Sequence, residues 1–184
     1  MAKLKNVKSK KNSRLVFWVQ LLIAVILIAT MSAGLLQLGG NGQVSSAAPD
    51  FPPWVAGLKI ENYVIGEDAK KQMSKSLPNE TSSLRDAWMA YYEERAVVWV
   101  GQATSENEAN RLLNVIRTNI QNAISAESDF KLQTSNKKGL SVYIIRFKER
   151  DSEYFYQKGD KVFWVSLPIG KEGPFINEVL DKLN

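Results

Sequence analysis

The chain has 184 residues, with 24 Lys or Arg, 19 Asp or Glu, and neither His nor Cys. It therefore has no imidazole base, no thiolate nucleophile, no zinc site built from nitrogen and sulfur ligands, and no disulfide. We predict no catalytic residue, no metal site and no cofactor.

The formal charge of +5 is concentrated at the amino terminus. Residues 1–14 carry no acid and six basic side chains, namely Lys3, Lys5, Lys8, Lys10, Lys11 and Arg14. The rest of the chain has 18 basic and 19 acidic side chains, a net charge of −1. Because a nucleic-acid-binding domain needs a basic surface of its own, nucleic acid is not an expected partner.

Residues 15–38 form an uncharged, mostly apolar run of 24 residues. A helix of this length measures roughly 36 Å, which is enough to cross a hydrocarbon core of about 30 Å. The basic side chains before it predict that the amino terminus is cytoplasmic. We therefore predict a cytoplasmic tail over 1–14, a single transmembrane helix over 15–38, and an extracytoplasmic remainder displayed at the cell membrane.

A cleaved secretory signal is the alternative to this anchor. The small residues from Val44 to Ala48 resemble a signal-peptidase site, so cleavage near Ala47 stays open. The apolar run is longer than a typical signal core, and Pro49 follows the small residues, which favours an uncleaved anchor. Residues 39–56 are rich in Gly, Ser, Ala and Pro and predict a tether.

Residues 57–184 have the length of one domain. Patterns of β-branched and aromatic residues predict seven strands: Leu58–Ile65, Asp86–Tyr92, Arg95–Ala103, Phe130–Thr134, Leu140–Phe147, Glu153–Gln157 and Lys161–Leu167. Helical spacing predicts three helices: one through Ala69, Met73 and Leu77, a long one after a Ser105–Glu108 capping box, and one opening at Gly173-Pro174.

The predicted order is β-α-β-β-α-β-β-β-β-α. Adjacent strands joined by tight turns indicate an α+β fold with a mostly antiparallel sheet and about three packed helices. The first six elements also match the βαββαβ order of ferredoxin-like folds, an order that carries no function by itself.

Carboxylates and one Ser-x-x-Lys spacing are the remaining sources of chemistry. Glu93 and Glu94 are predicted to point apart in a hairpin turn, and Glu149, Asp151 and Glu153 fall in a charged segment typical of a solvated loop. Ser135 and Lys138 have the spacing of serine acyl-enzymes, but they lie in a predicted polar turn and not at a helix start.

The strongest candidate interaction feature is aromatic. Either register of the hairpin around Gly159 places Tyr154, Tyr156 and Phe163 on one face of the sheet. Two interpretations stay open: a core closed on both faces, or a partly open face that contacts a partner. Tyr154, Tyr156 and Phe163 are the interaction residues that the second interpretation predicts.

We predict a non-catalytic interaction domain, anchored in the membrane by one span and acting as an accessory or assembly subunit of a membrane or envelope complex. Its partner is a protein or a second copy of the chain. The alternative is a ligand-binding or sensing domain for an envelope glycan or small molecule, and a carboxylate-based hydrolase is a third hypothesis. The absence of Cys fits a bacterial envelope protein.

Overall fold

The computed structural model describes residues 51–76, 81–124, 130–147, 151–168 and 170–183. The predicted cytoplasmic tail, transmembrane helix and first part of the tether lie outside these residues. In the described part of the chain, no helix is both long and apolar enough to span a membrane.

The described residues form eight strands and three α-helices, an α+β fold. The strands are β1 (Trp54–Val55), β2 (Leu58–Ile65), β3 (Leu84–Tyr92), β4 (Val97–Ala103), β5 (Phe130–Lys137), β6 (Leu140–Phe147), β7 (Ser152–Lys158) and β8 (Lys161–Leu167). The helices are α1 (Gly66–Ser76), α2 (Glu106–Ile124) and α3 (Glu172–Lys182). The predicted order is confirmed. The fold also begins earlier than residue 57, because Trp54 and Val55 pair with β2.

All eight strands belong to one sheet with the order β1-β2-β3-β4-β8-β7-β6-β5. Every pairing is antiparallel. The sheet is therefore two meanders, β1 to β4 and β5 to β8, that meet where β4 pairs with β8. The split βαβ arrangement of ferredoxin-like folds contains parallel neighbours, which this sheet lacks, so that resemblance in element order does not extend to the topology.

The long helix α2 connects the two meanders. β4 and β5 run in the same direction with β8, β7 and β6 between them, so α2 must cross three strands to reach the far edge. The Ser105 half of the predicted capping box is present, since the Glu108 N–H donates to Ser105 Oγ at 3.2 Å. The Glu108 carboxylate pairs with Arg111 at 2.7 Å, and this interaction lowers the pKa of Glu108.

Helices cover both faces of the sheet. On the face that we call the helix-pair face, α1 and α2 bury Ala69, Met73, Leu112 and Ile116 against β3, β4, β7 and β8. On the opposite face, the single-helix face, α3 buries Phe175, Ile176, Val179 and Leu180, and Leu183, directly after the helix, is buried in the same cluster. The result is three layers.

One short helix covers the single-helix face because other segments help to enclose it. At one side Val55 and Leu58 are buried in the same cluster, and Tyr92 meets Phe175 edge-on with ring centroids 5.4 Å apart. At the other side Leu140 packs partly against the cluster. Next to Leu140, Lys138 forms an ion pair with Asp181 of α3.

The β5–β6 hairpin is longer than predicted. Lys137 pairs with Leu140, which leaves the two-residue turn Lys138-Gly139 with φ values of 53° and 80°. Glycine accepts a positive φ without strain, and Asn136 Oδ1 accepts the Gly139 N–H at 3.2 Å. The prediction that Ser135 to Lys137 form part of the turn is wrong, because these residues continue β5.

Candidate functional site

The predicted interaction residues Tyr154, Tyr156 and Phe163 lie in the core of the single-helix face. Their relative exposures are 2%, 0% and 0%. The rings of Tyr156 and Phe163 stack with centroids 4.7 Å apart and an angle of 2° between their planes. The predicted division of faces is confirmed, and the closed-core interpretation describes these three side chains. They do not present an open surface.

Two buried polar atoms on this face have no hydrogen-bond partner within the described residues. They are Trp88 Nε1 and the Tyr156 hydroxyl. Trp88 pairs with Val100, Val100 with Phe163, and Phe163 with Tyr156, so both atoms belong to one row across the sheet. Burial raises the pKa of Tyr156 far above its ordinary value, so this residue stays a neutral donor.

On the helix-pair face, four aromatic rings form a continuous row across β4, β8, β7 and β6. The centroid distances are 6.2 Å for Trp99–Trp164, 6.0 Å for Phe155–Trp164 and 5.3 Å for Tyr143–Phe155. Arg117 of α2 lies over the Tyr143 ring at 5.7 Å. Trp164 and Tyr143 remain half-buried, so this row reaches the surface. Tyr154, Tyr156 and Phe163 on the single-helix face do not.

Glu153 is a buried carboxylate beside this row. It pairs with Ser166 across β7 and β8 and is 6% exposed. Ser166 Oγ donates to Oε1 at 3.0 Å, and Trp164 Nε1 donates to Oε2. Burial raises the pKa of Glu153 from 4.5 to about 7, although these two hydrogen bonds lower it. The prediction of a solvated loop is wrong for Glu153, which lies inside β7.

The other candidate groups do not assemble a reactive centre. Glu93 and Glu94 occupy a short 3₁₀ turn, and Glu94 pairs with Lys171 at 3.3 Å. Asp151 pairs with Arg95 at 3.9 Å. Glu149 lies outside the described residues. Ser135 stands in β5 and Lys138 in the following turn, which is not the helix-start geometry of a serine acyl-enzyme.

A small apolar cavity lies between the two helices of the helix-pair face. Its walls include Met73, Leu84, Leu112 and Trp164, and it has room for roughly one water molecule. A Cβ on Gly101 of β4 would lie 3.0 Å from Leu84 Cδ2, so glycine permits this close packing. This space is too small for a sugar or a cofactor.

The two edges of the sheet differ in how much of their backbone is covered. At one edge β1 pairs with only two residues of β2, and the Tyr63 N–H beyond it donates to Asn62 Oδ1 at 2.8 Å. At the other edge β5 pairs with β6 over all eight residues, and no described strand pairs with its outer side. Sheet edges of this kind are templates for strand addition.

The hairpin that ends in this edge is also basic. Residues 130–147 contain Lys131, Lys137, Lys138 and Arg146 and no acidic residue, a net charge of +4. Lys131 lies directly opposite Arg146 across the ladder. The rest of the chain after residue 14 has 14 basic and 19 acidic side chains, so we call residues 130–147 the basic hairpin.

The described residues contain no group of three or more acidic side chains placed to hold a metal ion. No family profile, curated protein or solved structure matches the chain. The function must therefore be inferred from the geometry of this chain itself.

Sequence reasoning did not predict that Glu153 is buried, and it did not identify the basic hairpin. The available signal for Glu153 was its place in a strand that is apolar on both faces. Glu153 and Tyr154 alternate along this strand, so Glu153 points to the face opposite Tyr154, which is also an inward position. The charge of the hairpin was readable from residues 130–147, but its position at the outer edge was not. That position depends on the α2 crossover, which no local pattern specifies.

Proposed function

We propose that this protein is a non-catalytic interaction domain, held outside the cell membrane by the transmembrane helix predicted over 15–38. It acts as an accessory or assembly subunit of a membrane or envelope complex. The observation that supports this proposal is the outer edge of β5, with which no described strand pairs. Natural sheets cover, shorten or bulge such edges to prevent unwanted pairing, and a long uncovered edge is a docking feature in many β-augmentation complexes.

The surface distribution of side chains agrees with an edge contact. Helices cover both sheet faces, and the side chains of Tyr154, Tyr156 and Phe163 are buried. Exposed side chains of β5, including Lys131, Gln133 and Thr134, flank backbone groups that no described strand uses. A partner can therefore dock without displacing a helix.

Photocrosslinking in intact cells tests the proposal. A photoreactive amino acid at Gln133 on β5 is compared with one at Asn114, which is exposed on α2. We expect one discrete protein adduct from Gln133, identified by mass spectrometry, and none from Asn114. Adducts only with the chain itself at Gln133 would replace the heteromeric form with self-association, and no adduct at any exposed position would contradict the proposal.

A ligand-binding or sensing role is the second candidate. The aromatic row supports it, because half-buried Trp164 and Tyr143 with Arg117 resemble the stacking and polar groups that hold sugars and small planar molecules. A ligand here would contact the row at its solvent side, since the cavity between the helices is too small.

Binding of envelope glycan fragments, followed by the fluorescence of the tryptophans, tests this second role. Ligand binding at the row would change the emission of the wild type, and Trp164→Phe would remove most of that change. Trp54→Phe is the control, because Trp54 is an exposed tryptophan of β1 and lies outside the row. No spectral change with any fragment would exclude these glycans as ligands of the row.

A further inference from the structure

We propose that β5 binds an extended acidic segment of a partner polypeptide, which adds to the sheet as a further antiparallel strand. This inference rests on the proposed interaction function and specifies the chemistry of the partner. It has two independent supports: the outer backbone edge of β5, with which no described strand pairs, and the charge of the basic hairpin.

The backbone supplies the hydrogen bonds. In an antiparallel strand, alternate residues direct their N–H and C=O groups to opposite sides, so roughly half of the eight residues of β5 face outward. β5 contains no proline, and neither the pairing of β5 with β6 nor that of β6 with β7 shows a register shift. A regular strand of this length offers about four outward-facing residues to an incoming strand.

The side chains define the charge of that incoming strand. Lys131, Gln133, Ser135 and Lys137 share one face of β5 because they alternate along it. Arg146 lies on the same face, directly opposite Lys131. Like charges directly opposite each other are destabilising, so an acidic side chain from a partner beside Lys131 would relieve this repulsion. If the partner strand carries acidic residues at alternate positions, all of their side chains lie on this same basic face.

The same charges disfavour a second copy of the chain as the occupant. In any register, two copies would bring two hairpins of net charge +4 together. A two-fold antiparallel pairing centred at Thr134 would also place Lys131 of one copy opposite Lys137 of the other. Each dimer would then contain two such repulsive pairs at the new ladder. A different polypeptide with acidic residues can form hydrogen bonds with the same backbone groups without this charge repulsion.

A synthetic peptide of about ten residues, with alternating Glu and Val, is the probe. The full-length chain is kept in a zwitterionic detergent, and binding is measured by fluorescence anisotropy of the labelled peptide. The control peptide has the same sequence with an N-methyl group on every backbone amide, so its charge is kept and neither of its edges can donate a hydrogen bond to β5. We expect the control peptide to bind at least ~10-fold more weakly, since it cannot complete the ladder.

Two matched variants test the charge. Lys131→Glu with Lys137→Glu reverses the charge of the edge, and Lys71→Glu with Lys75→Glu makes the same net change on exposed positions of α1. We expect the edge variant to bind the peptide at least ~10-fold more weakly and the α1 variant to stay within about twofold of the wild type.

Three results would overturn the inference. Equal binding of the N-methylated peptide would mean that the hairpin attracts any anionic chain or surface and does not pair with a strand. Equal weakening in both charge variants would remove β5 as the site, and no binding of either peptide would exclude an acidic strand. A discrete adduct from the crosslinking experiment together with any of these results would leave the interaction function standing.

Discussion

Tyr92 and Tyr156 are both buried on the single-helix face, but their hydroxyl groups differ in what they contact. The Tyr92 hydroxyl donates to the Pro52 carbonyl oxygen at 2.9 Å. The Tyr156 hydroxyl has no partner among the described residues. A buried donor without an acceptor loses its water without compensation, so the Tyr156 hydroxyl is an unfavourable part of an otherwise well-packed core.

Tyr156→Phe should therefore raise the free energy of unfolding by up to about 1 kcal/mol, whereas Tyr92→Phe should lower it by about 1 kcal/mol. Chemical denaturation of both variants against the wild type measures the difference. A loss in Tyr156→Phe as large as in Tyr92→Phe would show that the hydroxyl is satisfied by a bound water or by another group.

Glu153 links the stability of the domain to pH. Its pKa is raised from 4.5 to about 7 in the folded chain, so the folded state holds a proton that the unfolded state releases. The stabilisation from this proton is complete below about pH 4.5 and is lost as the pH rises to about 7. The total effect is on the order of 3 kcal/mol at most.

Glu153→Gln should remove this dependence. The Gln amide oxygen can accept the Trp164 N–H and its NH2 group can donate to the Ser166 hydroxyl, but Gln cannot ionise. The variant therefore gains stability relative to the wild type as the pH rises from 5 to 8. Urea denaturation at several pH values measures this difference. Parallel curves for the two proteins would show that Glu153 does not titrate in this range.

Among the secondary-structure elements, the hairpins and α2 were predictable because their signals are local. The capping residue Ser105 and the apolar stripe of α2 lie within a few turns of one another. In the β7–β8 hairpin, the turn at Gly159 determines which side chains share a face, and either possible register gives the same result. β1 was missed, since two residues between Pro53 and Ala56 have no period to detect.

The local cap of α2 can be tested directly. Ser105→Ala removes the acceptor for the Glu108 N–H and should lower the free energy of unfolding by about 1 kcal/mol. Ser141→Ala, at an exposed position of β6, is the control and should have little effect. Equal effects of the two substitutions in denaturation experiments would show that the cap contributes nothing measurable.

The candidate surface was less predictable than these elements. Tyr154 and Tyr156 were correctly placed on one face, but the sequence left open whether that face is covered. The answer depends on how α3, β1 and Leu140 meet around it, and these segments are far apart in the chain. The exposure of β5 likewise depends on α2 crossing three strands, so only the assembled sheet reveals it.

For the whole molecule, the predicted orientation in the membrane has a direct test because the chain contains no Cys. A single cysteine at Ser9 lies in the basic tail, and one at Lys71 lies at an exposed position of α1. A membrane-impermeant maleimide should label Lys71→Cys in intact cells and Ser9→Cys only after permeabilisation. The reverse pattern would contradict the orientation, and labelling of both in intact cells would contradict the anchor.

The strand order determines how the domain would carry a mechanical load. β1 lies at the end of the predicted tether, and β5 is seven strand spacings away at the other edge, about 34 Å in a flat sheet. If a partner binds β5 as proposed, tension between that partner and the predicted tether would act across the strands and load neighbouring ladders one after another. Because inter-strand hydrogen bonds lie perpendicular to antiparallel strands, this tension would pull along those bonds, and the proposed contact would suit assembly under low tension.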